Sequence, residues 1–163
     1  MTASNPEADL NAFFDKVDVW ISSIGFVKTK VDIDKITEIL NLDGEQIALM
    51  NSEELLNSTY SLYGYIDSLQ ASVNREKSIL DYCEESIWRI ISPIFNDYGD
   101  KFTKWEYKYN SAIRENPLAY KINVLKITTK ARMTMIEHRL EHVKKRTDIL
   151  LEIVRRKKNE NYN

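Results

Sequence analysis

From residue 55 onward the chain keeps a heptad register for more than five repeats. Leu55, Thr59, Leu62, Ile66, Leu69, Val73, Glu76, Leu80, Cys83, Ile87 and Ile90 follow one another in steps of four and three. That spacing returns to one face of an α-helix and to neither face of a strand. Only Glu76 interrupts the apolar seam. Asn51, with Glu54 three residues later, forms a capping-box signal in front of it, and Pro93 ends it. A helix of roughly 40 residues is about 60 Å long, more than a compact domain of this size spans.

A second run of the same kind closes the chain. Asn116-Pro117 is an N-cap followed by proline at the first helical position. Ile122, Leu125, Thr129, Met133, Ile136, Leu140, Val143, Thr147, Leu150 and Val154 then mark one face of a long helix. Between the two runs, Tyr98-Gly99-Asp100 reads as a turn. Thr103 with Glu106 suits the cap of a short helix, while the alternation Trp105, Tyr107, Tyr109 suits a strand hairpin equally well. Only 4 Gly and 3 Pro occur in 163 residues, too few turn-formers for a sandwich or an α/β fold.

Ahead of the seam, Asn5-Pro6 starts a helix carrying Leu10, Phe13, Phe14, Val17, Trp20, Ile21 and Ile24, and Gly25 stops it. A shorter helix runs from about Asp32 to Leu42, with Ile33, Ile36, Ile39 and Leu40 on one side, and Asp43-Gly44 is a turn signal. The expected fold is therefore all-α: an acidic N-terminal helical segment over residues 1–50, then a long helical hairpin over 51–163 with a basic C-terminal helix. Two long, narrow seams are more than one small domain needs internally, so assembly into an oligomeric bundle or ring is expected.

The net charge of −2 hides a strong asymmetry. Residues 1–100 carry 7 Lys/Arg against 18 Asp/Glu, a net −11, and residues 101–163 carry 16 against 7, a net +9. Such a division suits a basic surface for an anion, or an acidic half that neutralises it. The lone Cys83 excludes an internal disulfide framework and fits a reducing compartment. Residues 1–11 lack the pattern of a secretory signal, and no apolar run reaches bilayer-spanning length. The expected location is cytoplasm, with no membrane contact.

Few residues carry chemistry. His138, Glu141 and His142 spell H-x-x-E-H, the pattern of the inverted zinc proteases. A third ligand is missing, because no His follows, and Arg139, Lys144 and Lys145 repel a cation. A solvated helix face is the better reading, and no metal or cofactor is expected. Cys83 sits in the seam as a small buried hydrophobe, with Glu84 and Glu85 beside it to raise its pKa. The carboxylate pairs of the first half look like surface charges, and the scattered glycines form no phosphate loop. Nothing here makes an enzyme.

Residues 101–109 are different. Lys101, Lys104 and Lys108 alternate with Phe102, Trp105, Tyr107 and Tyr109, the combination that holds single-stranded nucleic acid by phosphate contacts and base stacking. The plainer alternative is that Phe102, Trp105 and Tyr109 pack the turn of the hairpin. Residues 121–158 add twelve of the sixteen C-terminal cations as a stripe. The candidate nucleic-acid-binding residues are Lys101, Lys104, Trp105, Tyr107, Lys108, Lys144, Lys145, Arg146, Arg155 and Arg156. The competing reading pairs the basic helix with the acidic first half.

From residue 55 to 158 the chain resembles the UvsY family of phage recombination mediators. The resemblance rests on Asn116-Pro117 followed by Leu125, Ile136, Arg139, Val143, Arg146, Ile149, Ile153, Arg155 and Glu160, an aliphatic helix ending in spaced arginines. The family's basic stretch before a Tyr-Tyr-Gly element is only echoed by Arg89 and Tyr98-Gly99, so its DNA contacts do not transfer, and residues 1–50 have no counterpart. The resemblance implies a ring-forming helical protein, phage-encoded and working in host cytoplasm, that binds single-stranded DNA and helps load a recombinase. The expected function is thus a non-enzymatic, oligomeric single-stranded nucleic-acid-binding accessory protein. Its rival is a helical protein-protein adaptor or phage assembly component that binds no nucleic acid.

Overall fold

The computed structural model describes residues 6–23 and 30–160. About 90% of these residues are helical and none lies in a strand. The order is α1 (Pro6–Ser23), α2 (Ile33–Asn41), α3 (Gly44–Leu49), α4 (Ser52–Ile91), a 3-10 segment (Ser92–Tyr98), α5 (Trp105–Glu115) and α6 (Pro117–Glu160). The all-α class is present, and α4 and α6 are the long hairpin-like pair expected. The cap at Asn5, Ile24 and the stop at Gly25 lie outside the described residues.

The ends of the long helices follow their sequence signals. The Asn51 Oδ1 accepts from the backbone N–H groups of Glu53 and Glu54, both at 2.9 Å, and the Asn51 N–H donates back to the Glu54 carboxylate at 2.8 Å. Two orphan donors at the start of α4 are satisfied in this way. Asn116 does the same for Leu118 and Ala119 at the start of α6. Pro93 cannot donate, and α4 gives way at Ile91 to the 3-10 segment. The segment read as a helix or a strand hairpin is helix α5; its N-cap is Lys104 rather than Thr103. Asp43-Gly44, read as a turn, is the start of α3, with Asp43 and Gln46 in a reciprocal capping box.

By contact the described residues divide into two units. The first takes residues 6–23 and 74–133. Its core holds Phe14 of α1, Ile79, Cys83, Ile87 and Ile91 of α4, Ala112 and Ile113 of α5, and Ala119 and Ile122 of α6. Beyond Glu76 the buried row therefore runs 79, 83, 87, 91, in place of the Leu80 and Ile90 that a strict heptad selects; those two are only half-buried. Each step of four overruns the 3.6-residue turn by about 40°, so the stripe slants around the helix. Glu76, the break in the seam, receives a bidentate hydrogen bond from Arg132 at 3.0–3.3 Å, and Lys126 pairs with Glu84 at 2.9 Å. Matching 76 with 132 and 84 with 126 makes the two helices antiparallel here. Arg75 lies 4.3 Å over the Phe14 ring and 3.7 Å from Asp18, tying α1 to α4.

The second unit takes residues 30–73 and 134–160. Leu55, Thr59, Leu62, Ile66 and Val73 of α4 are buried, as are Leu140, Val143, Thr147, Leu150 and Val154 of α6. Ile36, Ile39 and Ile47 bury the inner faces of α2 and α3, whereas Ile33 is exposed. The seam hydroxyls of Thr59 and Thr147 donate to carbonyls four residues back, at 2.8 Å, so neither is left unpaired in the core. Arg146 donates to the Leu42 carbonyl at the end of α2, and Lys157 donates to Ala48 and Met50 at the end of α3.

Candidate nucleic-acid interface

The aromatic end of the first unit is built where three short stretches meet. Trp88 leaves the last turn but one of α4, Phe95 lies in the 3-10 segment, and Trp105 and Tyr109 occupy successive turns of α5. Residues four apart on a helix share a face. Trp105 and Tyr109 accordingly stack with ring centroids 4.8 Å apart and planes at 17°. Trp105 also meets Trp88 at 6.4 Å and 29°, and Phe95 at 5.9 Å. Phe95 also meets Trp88 edge-on at 5.4 Å. The result is an aromatic cluster of Trp88, Phe95, Trp105 and Tyr109, in which Trp105 remains 52% exposed.

The loop ahead of α5 is held by one carboxylate. Asp100 Oδ1 accepts from the N–H of Phe102, the N–H of Thr103 and the Thr103 hydroxyl, at 2.9–3.0 Å. Those hydrogen bonds favour the ionised form, chiefly the one from Phe102, and hold the Asp100 pKa below its ordinary value. Gly99 takes φ of +141°, where a side chain is strained. Beside it, burial and the nearby Glu115 carboxylate push the Tyr98 phenol upward.

The candidate residues from sequence divide clearly. Lys101 and Lys104 are exposed on this loop, with the Lys101 Nζ 5.1 Å over the Phe102 ring. Lys108 is 8% exposed and turned inward, its Nζ 5.9 Å over the Phe95 ring, so it offers no surface charge. Tyr107 is exposed, but two residues from Trp105 it points to another side of α5 and shares no stacking surface with it. Of the rings packed on Trp105, Tyr109 stands among the aromatics of residues 101–109 but outside the candidate set, and Trp88, on α4, is the residue missed, with no local sequence signal. The signal for Tyr109 is its i, i+4 spacing from Trp105, visible only once α5 is read as helix.

In the second unit Lys144 and Lys145 are exposed, while Arg146 is turned toward the Leu42 carbonyl. Three consecutive helical residues diverge by about 100° each. Arg155 and Arg156 both lie within 4 Å of Glu152, at 3.8 and 3.2 Å. The +9 half is also spread over both units. Over their full sequence ranges the first holds 12 Lys/Arg and 12 Asp/Glu, net 0, and the second 11 and 13, net −2. His138, Glu141 and His142 are exposed, and among the described residues no group of three or more such ligands converges. Burial raises the Cys83 thiol pKa, with Lys126 opposing and Glu84 reinforcing. No helix among the described residues is long and apolar enough to cross a membrane. No family model, curated protein or solved structure matches the chain.

Proposed function

We propose that this chain is a non-enzymatic accessory protein that binds single-stranded nucleic acid at the aromatic end of its first unit. The observation that carries the reading is the exposed aromatic surface of Trp88 and Trp105, packed with Tyr109 and flanked by Lys101 and Lys104 on the adjoining loop. Ring surface already ordered by its neighbours loses little entropy when a base joins it, and each stacked base contributes roughly 1–3 kcal/mol. Lys101 and Lys104 supply phosphate contacts, and Lys144 and Lys145 supply exposed charge in the second unit. A role in loading a recombinase rests on the resemblance of the C-terminal helix to the UvsY family.

A protein-binding adaptor is the second reading. It is favoured by the near-neutrality of each unit and by the use of Lys126, Arg132, Arg146 and Lys157 inside the fold. Retention of labelled oligo(dT) on a filter at low salt separates the two. The first reading expects retention that falls when Trp105 is replaced by Ala; the absence of retention by intact protein at low salt leaves the adaptor.

A further inference from the structure

We infer that copies of this chain join head to tail, the outer face of α4 in one copy seated on the outer face of α6 in the next. The first face belongs to the second unit. Leu56, Tyr60 and Tyr63 stand exposed on α4, about 100° around the helix from its buried row, and Tyr60 is 81% open. The second face belongs to the first unit, where Tyr120, Val124 and Ile127 stand exposed on α6, Ile127 at 62%. Both sets step by four and then three, the spacing at which two helices interdigitate. The cores of the two units are filled from other faces of these helices, by Leu55, Thr59, Leu62 and Ile66 on α4 and by Ala119, Ile122 and Thr129 on α6.

Charge decides which face each one fits. Residues 36–74 contain no Lys, Arg or His, and Glu53 and Asp67 lie beyond either end of the α4 stripe. Residues 117–136 contain no Asp or Glu, and Lys121 and Lys130 border the α6 stripe. Pairing like faces sets carboxylates against carboxylates, or ammonium groups against ammonium groups. Pairing unlike faces sets Glu53 and Asp67 near the lysines. Complementary potentials select the unlike pair. Such a contact is heterologous, so each added copy leaves one face of either kind open.

Two double variants test this in the full-length chain: Leu56→Ser with Tyr60→Ser, and Val124→Ser with Ile127→Ser. All four positions are exposed, and far-UV circular dichroism checks that each variant keeps its helices. Sedimentation velocity across micromolar concentrations expects the unaltered chain to associate beyond a dimer and each variant alone to associate about 100-fold more weakly. An equimolar mixture of the two variants expects recovered association that stops at a one-to-one pair, because only one intact face of each kind remains. A monomeric unaltered chain overturns the inference. So does a loss of association in only one variant, the mark of a symmetric dimer, or a mixture that recovers nothing.

Discussion

The Lys157 ammonium donates to the Met50 carbonyl at 2.6 Å, so a cation from the last turn of α6 closes the end of α3. It reaches the Ala48 carbonyl as well, at 2.7 Å. The final carbonyls of a helix have no partner within it and carry the negative end of its dipole. A six-residue helix such as α3 is too short to be stable alone. Arg146 plays the same part for α2 at Leu42. Charges that look like a phosphate-binding stripe in sequence are here anchors for two short helices.

Lys157→Met should therefore cost about 1–2 kcal/mol, as expected for losing charge-assisted hydrogen bonds at a helix end. Urea unfolding should show a lower midpoint at unchanged slope. Hydrogen exchange should speed selectively in residues 44–50. Unchanged protection there would mean that Ile47 alone seats the helix.

The Glu76–Arg132 pair bridges α4 and α6 at the one charged seam position, with the Glu76 side chain 15% exposed and that of Arg132 46%. Arg132→Met alone leaves a largely buried carboxylate without its partner and should destabilise by about 1–3 kcal/mol. Replacing both residues by Met should be near neutral, because desolvation of the pair offsets much of its attraction. A double-mutant cycle read by chemical denaturation gives the coupling. Additive losses would show that the bidentate contact contributes nothing.

Glu76 was legible as the break in the seam, and its partnership with Arg132 was not. Repeat spacing marks the face of a helix, and Asn51 and Asn116 mark its start, because these are local properties of the backbone. Phe14 and Ile113 reach the core of the first unit only through tertiary packing, which periodicity does not record. The drift from Leu80 and Ile90 to Ile79 and Ile91 has the same origin. Likewise Lys108 looks like Lys101 and Lys104 in sequence, yet α5 turns it inward onto Phe95.

That difference among the three lysines is measurable if the proposed function holds. Lys101→Ala and Lys104→Ala should each reduce the slope of log affinity on log salt by up to about 0.7, the value for one phosphate on a single strand. Lys108→Met should leave the slope unchanged. Trp105→Ala should weaken binding with little change in slope, since stacking releases few ions. Equal slope changes for all three lysines would contradict the inward placement of Lys108.

The loop at residues 99–104 should respond to acid and to the size of residue 99. Asp100 has a lowered folded pKa, so its stabilising contribution is present above the ordinary carboxylate range and is lost as pH falls through the folded value. Asp100→Asn should flatten that acid limb in Trp fluorescence, because the amide has no proton to take up. Gly99 gives a second, pH-independent handle. A Cβ there would lie 2.4 Å from the Thr103 Oγ1, and the φ of +141° is one that other residues resist. Gly99→Ala should cost about 1–3 kcal/mol, a strained backbone position. Adding Thr103→Ser removes the Cγ2 methyl that lies 2.8 Å from the new Cβ and should recover only part of the loss, since the nearer Oγ1 and Cβ of residue 103 and the backbone strain stay. Full recovery in the double variant would assign the whole effect to that methyl. No recovery would assign it to φ together with the Oγ1 and Cβ contacts.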